Sequence, residues 1–189
     1  MPKKVVFPKE AIIEKAFEIF KEEGIDSITA RNVAKALNSS PAPIYSSVGS
    51  MDLLKEELVN RAKKLFMDYI TTVRTGIMFL DIGMGVAIFA REERKLFSNI
   101  FLIESVERAL MNEFLDLVHD EAKKDKRFSC LTEEQRNELF LNCWIFANGL
   151  STLIATGFIP NPSDEYIKEK LMSNPAKLLY EYLDKHCKV

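Results

Sequence analysis

The sequence predicts an all-α protein in which a small N-terminal three-helix domain precedes a larger helical bundle. Apolar residues recur with helical spacing along nearly the whole chain, and no stretch alternates polar and apolar residues for more than a few positions, as a half-buried strand would. Composition agrees, because 47% hydrophobic and 29% charged residues in a chain of 189 are typical of a globular protein with a sizeable core.

The first predicted helix follows the N-terminal segment. Pro8 suits a first helical position, and Gly24 suits a C-terminal stop. Its apolar face has the i, i+3, i+4, i+7 spacing of a buried helix side and consists of Ile13, Ala16, Phe17 and Phe20.

The second predicted helix runs from Ala30 to Leu37. Thr29 is its expected N-cap, because a threonine hydroxyl can accept a hydrogen bond from a free N–H of the first turn. Ile28 and Val33 are spaced to pack on each other as a hydrophobic staple.

The third helix depends on the stretch SSPAPIYSSVGS at positions 39–50. Proline is tolerated in a first helical turn, because the N–H groups there have no intrahelical acceptor. With Ser40 as N-cap, Pro41 falls at the first helical position and Pro43 at the third. The pattern therefore predicts a two-turn helix from Pro41 to about Val48, with Ile44 as its inward apolar anchor.

Ser50 is the expected cap of a fourth helix over about 51–72. Its apolar stripe consists of Leu54, Leu58, Ala62 and Leu65. Beyond it the periodicity predicts helices near 76–92, 94–105, 105–124, 132–157 and 164–186. Breaks are expected at 123–129 and at GFIPNPSD, 157–164.

The first three helices have the arrangement of a helix-turn-helix motif. The second and third lie within the first 50 residues and are separated by Asn38 and Ser39. In that motif the last helix enters the DNA major groove and presents its N-terminal residues to base edges. The spacing thus predicts a DNA-binding domain.

The segment EGIDSITARNVAKALNSSPAPIYSSVGSMDLLKEEL, positions 23–58, resembles the TetR family of bacterial transcriptional regulators. The shared features are a Thr-x-Arg start and an Ala-rich second helix, a Ser-x-x-x-hydrophobic-Tyr recognition helix, and a Ser-x-acidic-x-Leu start to the fourth helix. FAREERKLFSNIF at 89–101 and WIFANGL at 144–150 are similar to ligand-domain segments of one TetR subgroup. That subgroup usually has histidine where Asn148 stands.

The resemblance implies roles in DNA binding for residues of the second, third and fourth helices. Thr29, Arg31 and Tyr45 would contact phosphates, which hydroxyls, cations and helix N-termini bind well. Lys55 would add to affinity, together with Lys3, Lys4 and Lys35. The residues expected to face the groove are Ser40, Pro41, Ala42, Pro43 and Ser46.

The second half of the chain is rich in methionine and aromatic residues, which suit a pocket for a bulky apolar ligand. Each residue alone is better explained as part of an ordinary core, and the resemblance favours a cavity lined by some of them. The candidate ligand-binding residues are Met78, Phe79, Phe89, Phe97, Phe101, Trp144 and Asn148. Trp144 and Asn148 lie one turn apart and could offer a stacking face beside a polar group.

The resemblance also implies an organisation and a mechanism. Residues 1–50 would bind operator DNA, and residues 51–189 would form a ligand-binding and dimerisation domain, connected by the fourth helix. A homodimer would form through the two C-terminal helices, near 132–157 and 164–186. We expect a repressor that a small apolar or amphipathic effector releases from double-stranded operator DNA.

Two other classes of function compete with this one. The predicted recognition helix carries no charge and no bidentate base reader, and Met51 stands where the family often has lysine. A helical small-molecule-binding or scaffold protein with a degenerate DNA-reading face is therefore the alternative. An enzyme comes third, because no nucleophile, phosphate-loop or HExxH motif occurs and only His119 offers a remote start for a metal site. No catalytic residue, metal or cofactor is expected.

The three cysteines, Cys130, Cys143 and Cys187, are odd in number and have no CxxC spacing. This disfavours a disulfide framework and a zinc site, and Cys143 is expected to be an inert core thiol. The N-terminus has no apolar segment of a signal peptide, and the apolar runs are too short and interrupted for a membrane span. A cytoplasmic protein without a membrane partner is expected.

Overall fold

The computed structural model describes residues 7–101 and 104–187, with the backbone alone for 104–113. All regular secondary structure in these ranges is helical, which confirms the predicted all-α class. The helices are α1 Lys9–Glu23, α2 Ala30–Ala36, α3 Pro41–Val48, α4 Met51–Thr71, α5 Met78–Glu92, α6 Arg94–Phe101, α7 Glu104–Lys124, α8 Glu133–Ala155, α9 Asp164–Leu171 and α10 Lys177–His186. Short 3₁₀ turns occupy Ile25–Ser27 and Lys126–Phe128, and a π-helical turn occupies Met172–Ala176.

Helices α2 and α4 begin where their capping residues predict, and α1 begins one position later than expected. Pro8 lies one position before α1 rather than in it, and Gly24 ends the helix as expected. Thr29 caps α2, because its hydroxyl accepts a hydrogen bond from the Asn32 backbone N–H at 3.1 Å. Ser50 caps α4 in the same way through the Leu53 N–H, also at 3.1 Å.

The proline-rich stretch forms α3, with Pro41 as its first residue. Ser40 occupies the N-cap position, but its hydroxyl makes no capping hydrogen bond. The fixed φ of proline and the absence of N–H groups at Pro41 and Pro43 replace that cap, because they leave two fewer donors to satisfy. The helix ends at Gly49, whose φ of 82° strongly favours glycine.

The long helix α4 connects the N-terminal domain to the bundle. Its first turns bury Leu54 and Leu58 with the N-terminal core, and its last turns bury Phe66 and Ile70 within the bundle. Leu65, predicted for the buried stripe, is only partly buried, and Phe66 takes its place.

Helix α5 lies at the centre of the bundle and is buried continuously from Leu80 to Ala90. It packs on α4 so closely that a Cβ atom at Gly85 would lie 2.5 Å from the Tyr69 carbonyl oxygen and 2.6 Å from the Ile70 Cα. Both contacts are with backbone, which cannot rotate away as a side chain could. Only glycine therefore allows α4 and α5 to cross at this distance.

The turn before α5 is fixed by a buried carboxylate. Asp81 accepts hydrogen bonds from the Thr75 N–H at 2.7 Å, the Thr75 hydroxyl at 2.6 Å and the Gly76 N–H at 3.0 Å. Burial alone would raise the pKa of Asp81, but these hydrogen bonds outweigh it and the net shift is downward. The carboxylate thus stays ionised and holds the connection between α4 and α5.

The predicted helix at 164–186 forms as continuous helical backbone, but it is not α-helical throughout. Pro175 lies inside it, and a proline lacks the N–H for the helical ladder while its ring clashes with the carbonyl four residues back. The backbone accommodates it by widening into the π-helical turn Met172–Ala176, through which α9 continues into α10.

The expectation about the cysteines is wrong in one respect. Cys130, in the turn before α8, forms a disulfide with Cys187 at the end of α10, with the two Cα atoms 5.5 Å apart. The partners are 57 residues apart, so their spacing could not show the pairing. Cys143 is free and mostly buried.

The contact at Gly85 predicts that alanine destabilises the protein at this position but not at a glycine that lacks such a contact. Gly85→Ala should lower the free energy of unfolding by about 1–3 kcal/mol, because the new methyl group forces the α4 backbone away. Gly149→Ala, in the interior of α8 where an added Cβ would meet nothing within 4 Å, is the matched control. It should be neutral or stabilising, since alanine favours helix. Urea unfolding measures both, and equal stability of the two variants would contradict the packing described.

Candidate DNA-binding surface and ligand cavity

Helices α2 and α3 form a helix-turn-helix unit held by a small apolar core. Val33 of α2 and Ile44 of α3 are fully buried, together with Val48 and the α1 residue Phe20. This core fixes which side of α3 faces inward. The opposite side of α3 is left on the surface.

The predicted phosphate-binding residues are also exposed. Thr29 and Arg31 are exposed at the start of α2, and Tyr45 is half-exposed on α3. In the described part of the chain, no hydrogen bond or ion pair engages the Arg31 guanidinium or the Tyr45 hydroxyl. Lys55 is half-buried on α4, while the predicted contributions of Lys3 and Lys4 lie outside the described residues.

The predicted groove-facing residues cluster at the N-terminal end of α3. Ser40, Pro41, Ala42 and Ser46 are exposed, and Pro43 is half-buried. The Ser46 hydroxyl donates to the Pro43 carbonyl at 2.9 Å, so its oxygen remains an acceptor. This end of α3 presents methyl and ring CH₂ groups with two hydroxyls, which suits contact with thymine methyl groups better than bidentate base pairing.

A largely apolar cavity lies in the bundle between α5, α7, α8 and the C-terminal helices. Its volume is about 100 Å³. Its lining includes Ile77, Phe79, Leu80, Ile82, Gly83, Val86, Phe114, Leu115, Val118, Arg127, Phe140, Cys143, Trp144, Ala147, Leu171, Met172, Pro175, Ala176, Leu179 and Tyr180. This volume is below the range of about 300–1,000 Å³ typical of ligand sites, so a larger occupant either displaces a wall or extends through the side of the cavity that is open to solvent.

Of the seven candidate ligand residues, Phe79 and Trp144 line this cavity. The cavity meets α8 on the side of Cys143 and Ala147, and Asn148 is rotated by about 100° from Ala147, outside the lining. The remaining four are also outside it: Met78, Phe89, Phe97 and Phe101. We revise the candidate ligand-binding set accordingly.

Three of these residues form an aromatic cluster between the cavity and α4. Phe101 lies with its ring centroid 5.2 Å from that of Phe66 and 4.8 Å from that of Phe97. Phe89 contacts Phe66 at 5.3 Å, and Trp144 contacts Phe101 at 6.0 Å. The cluster therefore joins a cavity wall to α4, α5 and α6.

The sequence did not predict the wall contributed by α9, the π-helical turn and α10. Leu171, Met172, Pro175, Leu179 and Tyr180 all line the cavity. The proline within a helical pattern was the available signal, because π-helical turns often occur at functional sites.

Arg127 is the charged residue in the described lining of the cavity, and its guanidinium is already paired with a carboxylate. Arg127 donates from Nε to Asp125 Oδ1 at 3.1 Å and from Nη2 to Asp125 Oδ2 at 2.6 Å. This hydrogen bonding lowers the pKa of Asp125 and raises that of Arg127, so both remain ionised. Burial raises the pKa of the Cys143 thiol to about 11, which keeps it protonated and unreactive near neutral pH. The cavity is therefore suited to an apolar occupant.

No protein-family model and no curated protein matches the sequence. Among solved structures, the chain is similar to the crystal structure of a TetR-like transcriptional regulator from Rhodococcus sp. RHA1, with a TM-score of 0.61 over 91% of this chain and 96% of that one. The chain has a TetR-like fold. The two sequences are 13% identical, so the similarity is one of architecture.

Within this fold, α1 is joined to the bundle through α6. The Asn99 side-chain amide of α6 donates to the Phe20 and Lys21 carbonyls at the end of α1, both at 3.3 Å. Ion pairs of Lys95 with Glu22 and of Lys21 with Glu93 lie beside it. A shift of α6 would therefore be transmitted to the N-terminal domain.

A second joint ties α4 to α5 and α9. The Tyr69 hydroxyl of α4 donates to Glu92 at 2.7 Å. Burial and then this hydrogen bond raise the pKa of Tyr69, so the phenol stays protonated. Arg91 pairs with Glu92 at 3.1 Å and with Asp164 of α9 at 2.7 Å.

The outer side of α8 carries an apolar ridge at four-residue spacing. Leu141 and Ile145 are 57% and 60% exposed, and Leu153 lies on the same ridge beyond Gly149. By length and composition, α8 is also the helix of the described part that could cross a membrane, although a third of its apolar window is buried in the bundle. The ridge explains this composition, because α8 has one apolar side in the core and another on the surface.

The cavity predicts a variant with weakened ligand binding. Ala176→Phe should reduce affinity for an apolar fluorescent probe such as anilinonaphthalene sulfonate at least about tenfold, because the added ring occupies part of the cavity. Trp144, the one tryptophan of the chain, lines the cavity and reports binding through energy transfer. Leu53→Phe, on an exposed position of α4, is the control and should bind normally. Undiminished binding to Ala176→Phe would place the probe elsewhere.

Proposed function

We propose that the protein is a ligand-responsive DNA-binding transcriptional regulator that acts as a homodimer in the cytoplasm. The observation that supports this proposal is the exposed face of α3. Helix α3 packs against α4, and the other end of α4 packs into the core of the bundle that contains the cavity. A repressor released by a small apolar or amphipathic effector is the form of regulation that this arrangement supports best.

DNA binding would divide into two kinds of contact. Arg31 and Thr29 at the start of α2 and Tyr45 on α3 would hold phosphates, since their side chains are exposed and their polar groups can reach outward. The methyl and proline groups of α3 would read shape and thymine methyl groups. Affinity would thus come mostly from the backbone contacts, and selectivity from α3.

The apolar ridge of α8 supports a dimer through the C-terminal helices. Leu141, Ile145 and Leu153 follow an i±4 row, which is the ridge that interdigitates in the commonest class of helix packing. Leu178 and Tyr180 are further exposed apolar residues, on α10. A two-fold dimer would supply two copies of α3, as two half-sites require.

Release would follow from the small size of the cavity. An effector larger than about 100 Å³ would move a wall where it enters the cavity fully, and Trp144 on that wall contacts Phe101 of α6. Displacement of α6 would act on α1 through Asn99, and on α4 through Phe66. The effector would therefore favour a conformation in which the two copies of α3 no longer fit the operator.

The DNA contacts predict two distinct phenotypes. Arg31→Ala should weaken binding to all duplexes alike and reduce the salt dependence of binding by about one counterion per protomer. Ala42→Gln should instead alter sequence preference, because glutamine can pair bidentately with adenine. Salt titrations of binding to the DNA upstream of its own gene measure both, with Lys168→Ala on exposed α9 as control.

A change of sequence preference by Arg31→Ala and a uniform loss of affinity by Ala42→Gln would refute this division into phosphate and base contacts.

A second candidate function follows from the uncharged α3: a helical small-molecule-binding or scaffold protein whose DNA-reading face is degenerate. Salt-independent or absent binding by the wild-type protein would favour that function.

The ridge predicts a charge-sensitive dimer. Ile145→Glu should convert a dimer to a monomer, because the interface would have to bury an unpaired carboxylate. Sedimentation velocity measures the change. Val73→Glu places the same charge on an exposed apolar position of the turn after α4 and should leave the dimer intact. A dimer that survives Ile145→Glu would place the interface on another surface.

A further inference from the structure

The C-terminal helix α10 is anchored by few contacts. Among its described residues Leu179 alone is buried, while Tyr182 and Leu183 pack partly on the core. The Tyr182 hydroxyl donates to Glu138 at 2.8 Å, and Gln135 Nε2 lies 2.9 Å from His186 Nδ1. These exposed or half-exposed polar contacts stabilise the docked position of α10 less than the burial of apolar side chains would.

The upstream end of α10 continues from α9 through the π-helical turn that contains Pro175. This turn shifts the hydrogen-bond pattern and lacks one N–H donor, and prolines and π-helical turns are the sites at which helices bend. The 10 residues of α10 can therefore swing about this turn unless their far end is held. The disulfide at Cys187 is therefore the strongest restraint on the last turns of α10.

We propose that Cys130 and Cys187 form a reversible thiol–disulfide site whose redox state fixes or frees α10. Cys130 is exposed and Cys187 is half-buried, so a small thiol can reach the bond from solvent. This step rests on the proposed function, which places the protein in the cytoplasm. Disulfides in that compartment are rare, and those that occur are usually transient and redox-sensing or catalytic.

The reaction is a two-electron exchange with a low-molecular-weight thiol such as glutathione. A thiolate attacks one sulfur, the Cys130–Cys187 bond breaks, and a mixed disulfide forms while the other cysteine leaves as a thiolate that takes up a proton. A second thiol resolves the mixed disulfide. The net result is two cysteine thiols in the protein and one disulfide of the small thiol.

The site is positioned to affect the cavity. Leu179 and Tyr180 of α10 line one wall, and Arg127, three residues before Cys130, lines another. The oxidised bond holds these two walls together. Reduction would allow α10 to move about the Pro175 turn, which takes Leu179 and Tyr180 with it.

The test is hydrogen exchange on the full-length wild-type protein, equilibrated with oxidised glutathione or with excess dithiothreitol. Peptide mass spectrometry should find the Cys130–Cys187 crosslink in the first sample and two free thiols in the second. Amides of α10 should then exchange at least about tenfold faster in the reduced protein, while those of α5 are unchanged.

Two variants serve as controls. Cys130→Ser should exchange like the reduced wild type under both conditions, and Cys143→Ser should keep the full redox difference, because it removes the thiol outside the pair. Failure of the crosslink to form in oxidised glutathione would overturn the proposal, as would equal α10 exchange in the two states. Neither readout uses DNA or an effector, so failure of the proposed regulatory function would leave the result intact.

Discussion

The closeness of α4 and α5 at Gly85 is the constraint on which the rest of the structure depends. At this crossing a methyl group would lie 2.5 Å from the Tyr69 carbonyl oxygen, so the two backbones touch without intervening side chains. Such contacts are stiff, because backbone atoms have no rotamers with which to adjust. Helix α4 is thus part of the bundle core at one end and of the N-terminal core at the other. A rearrangement around α5 cannot leave α4 where it was.

Because the crossing of α4 and α5 is stiff, a change in the cavity affects other parts of the protein. With about 100 Å³ it admits a small group without strain, and a larger group that enters it fully displaces Trp144 or a helix of the C-terminal wall. Trp144 leads through Phe101 to Phe66 on α4 and, through α6, to the Asn99 contacts with α1. The residues between the cavity and the proposed DNA-binding surface are therefore packed aromatic rings rather than mobile loops. Packed cores have discrete arrangements, which is what a regulator with two states requires.

The sequence predicted the N-terminal domain well because its signals are local. Capping by Thr29 and Ser50 and the first-turn prolines of α3 depend on residues at most a few positions apart. The cavity and the disulfide depend on residues from distant parts of the chain. Phe89 and Phe101 have the composition of a ligand site, yet composition cannot distinguish a cavity wall from the core behind it. Likewise Cys130 and Cys187 meet only because α10 folds back across the start of α8.

We propose that the cavity and the DNA-binding surface are energetically coupled, because the helices between them are packed as one unit. By linkage, DNA and a cavity ligand must then change each other's affinity by the same factor. The most direct test is the affinity of the cavity for anilinonaphthalene sulfonate with and without saturating duplex DNA from upstream of the gene. We expect DNA to weaken probe binding by about 5- to 100-fold in the wild-type protein. An affinity that is the same with and without bound DNA would contradict the account.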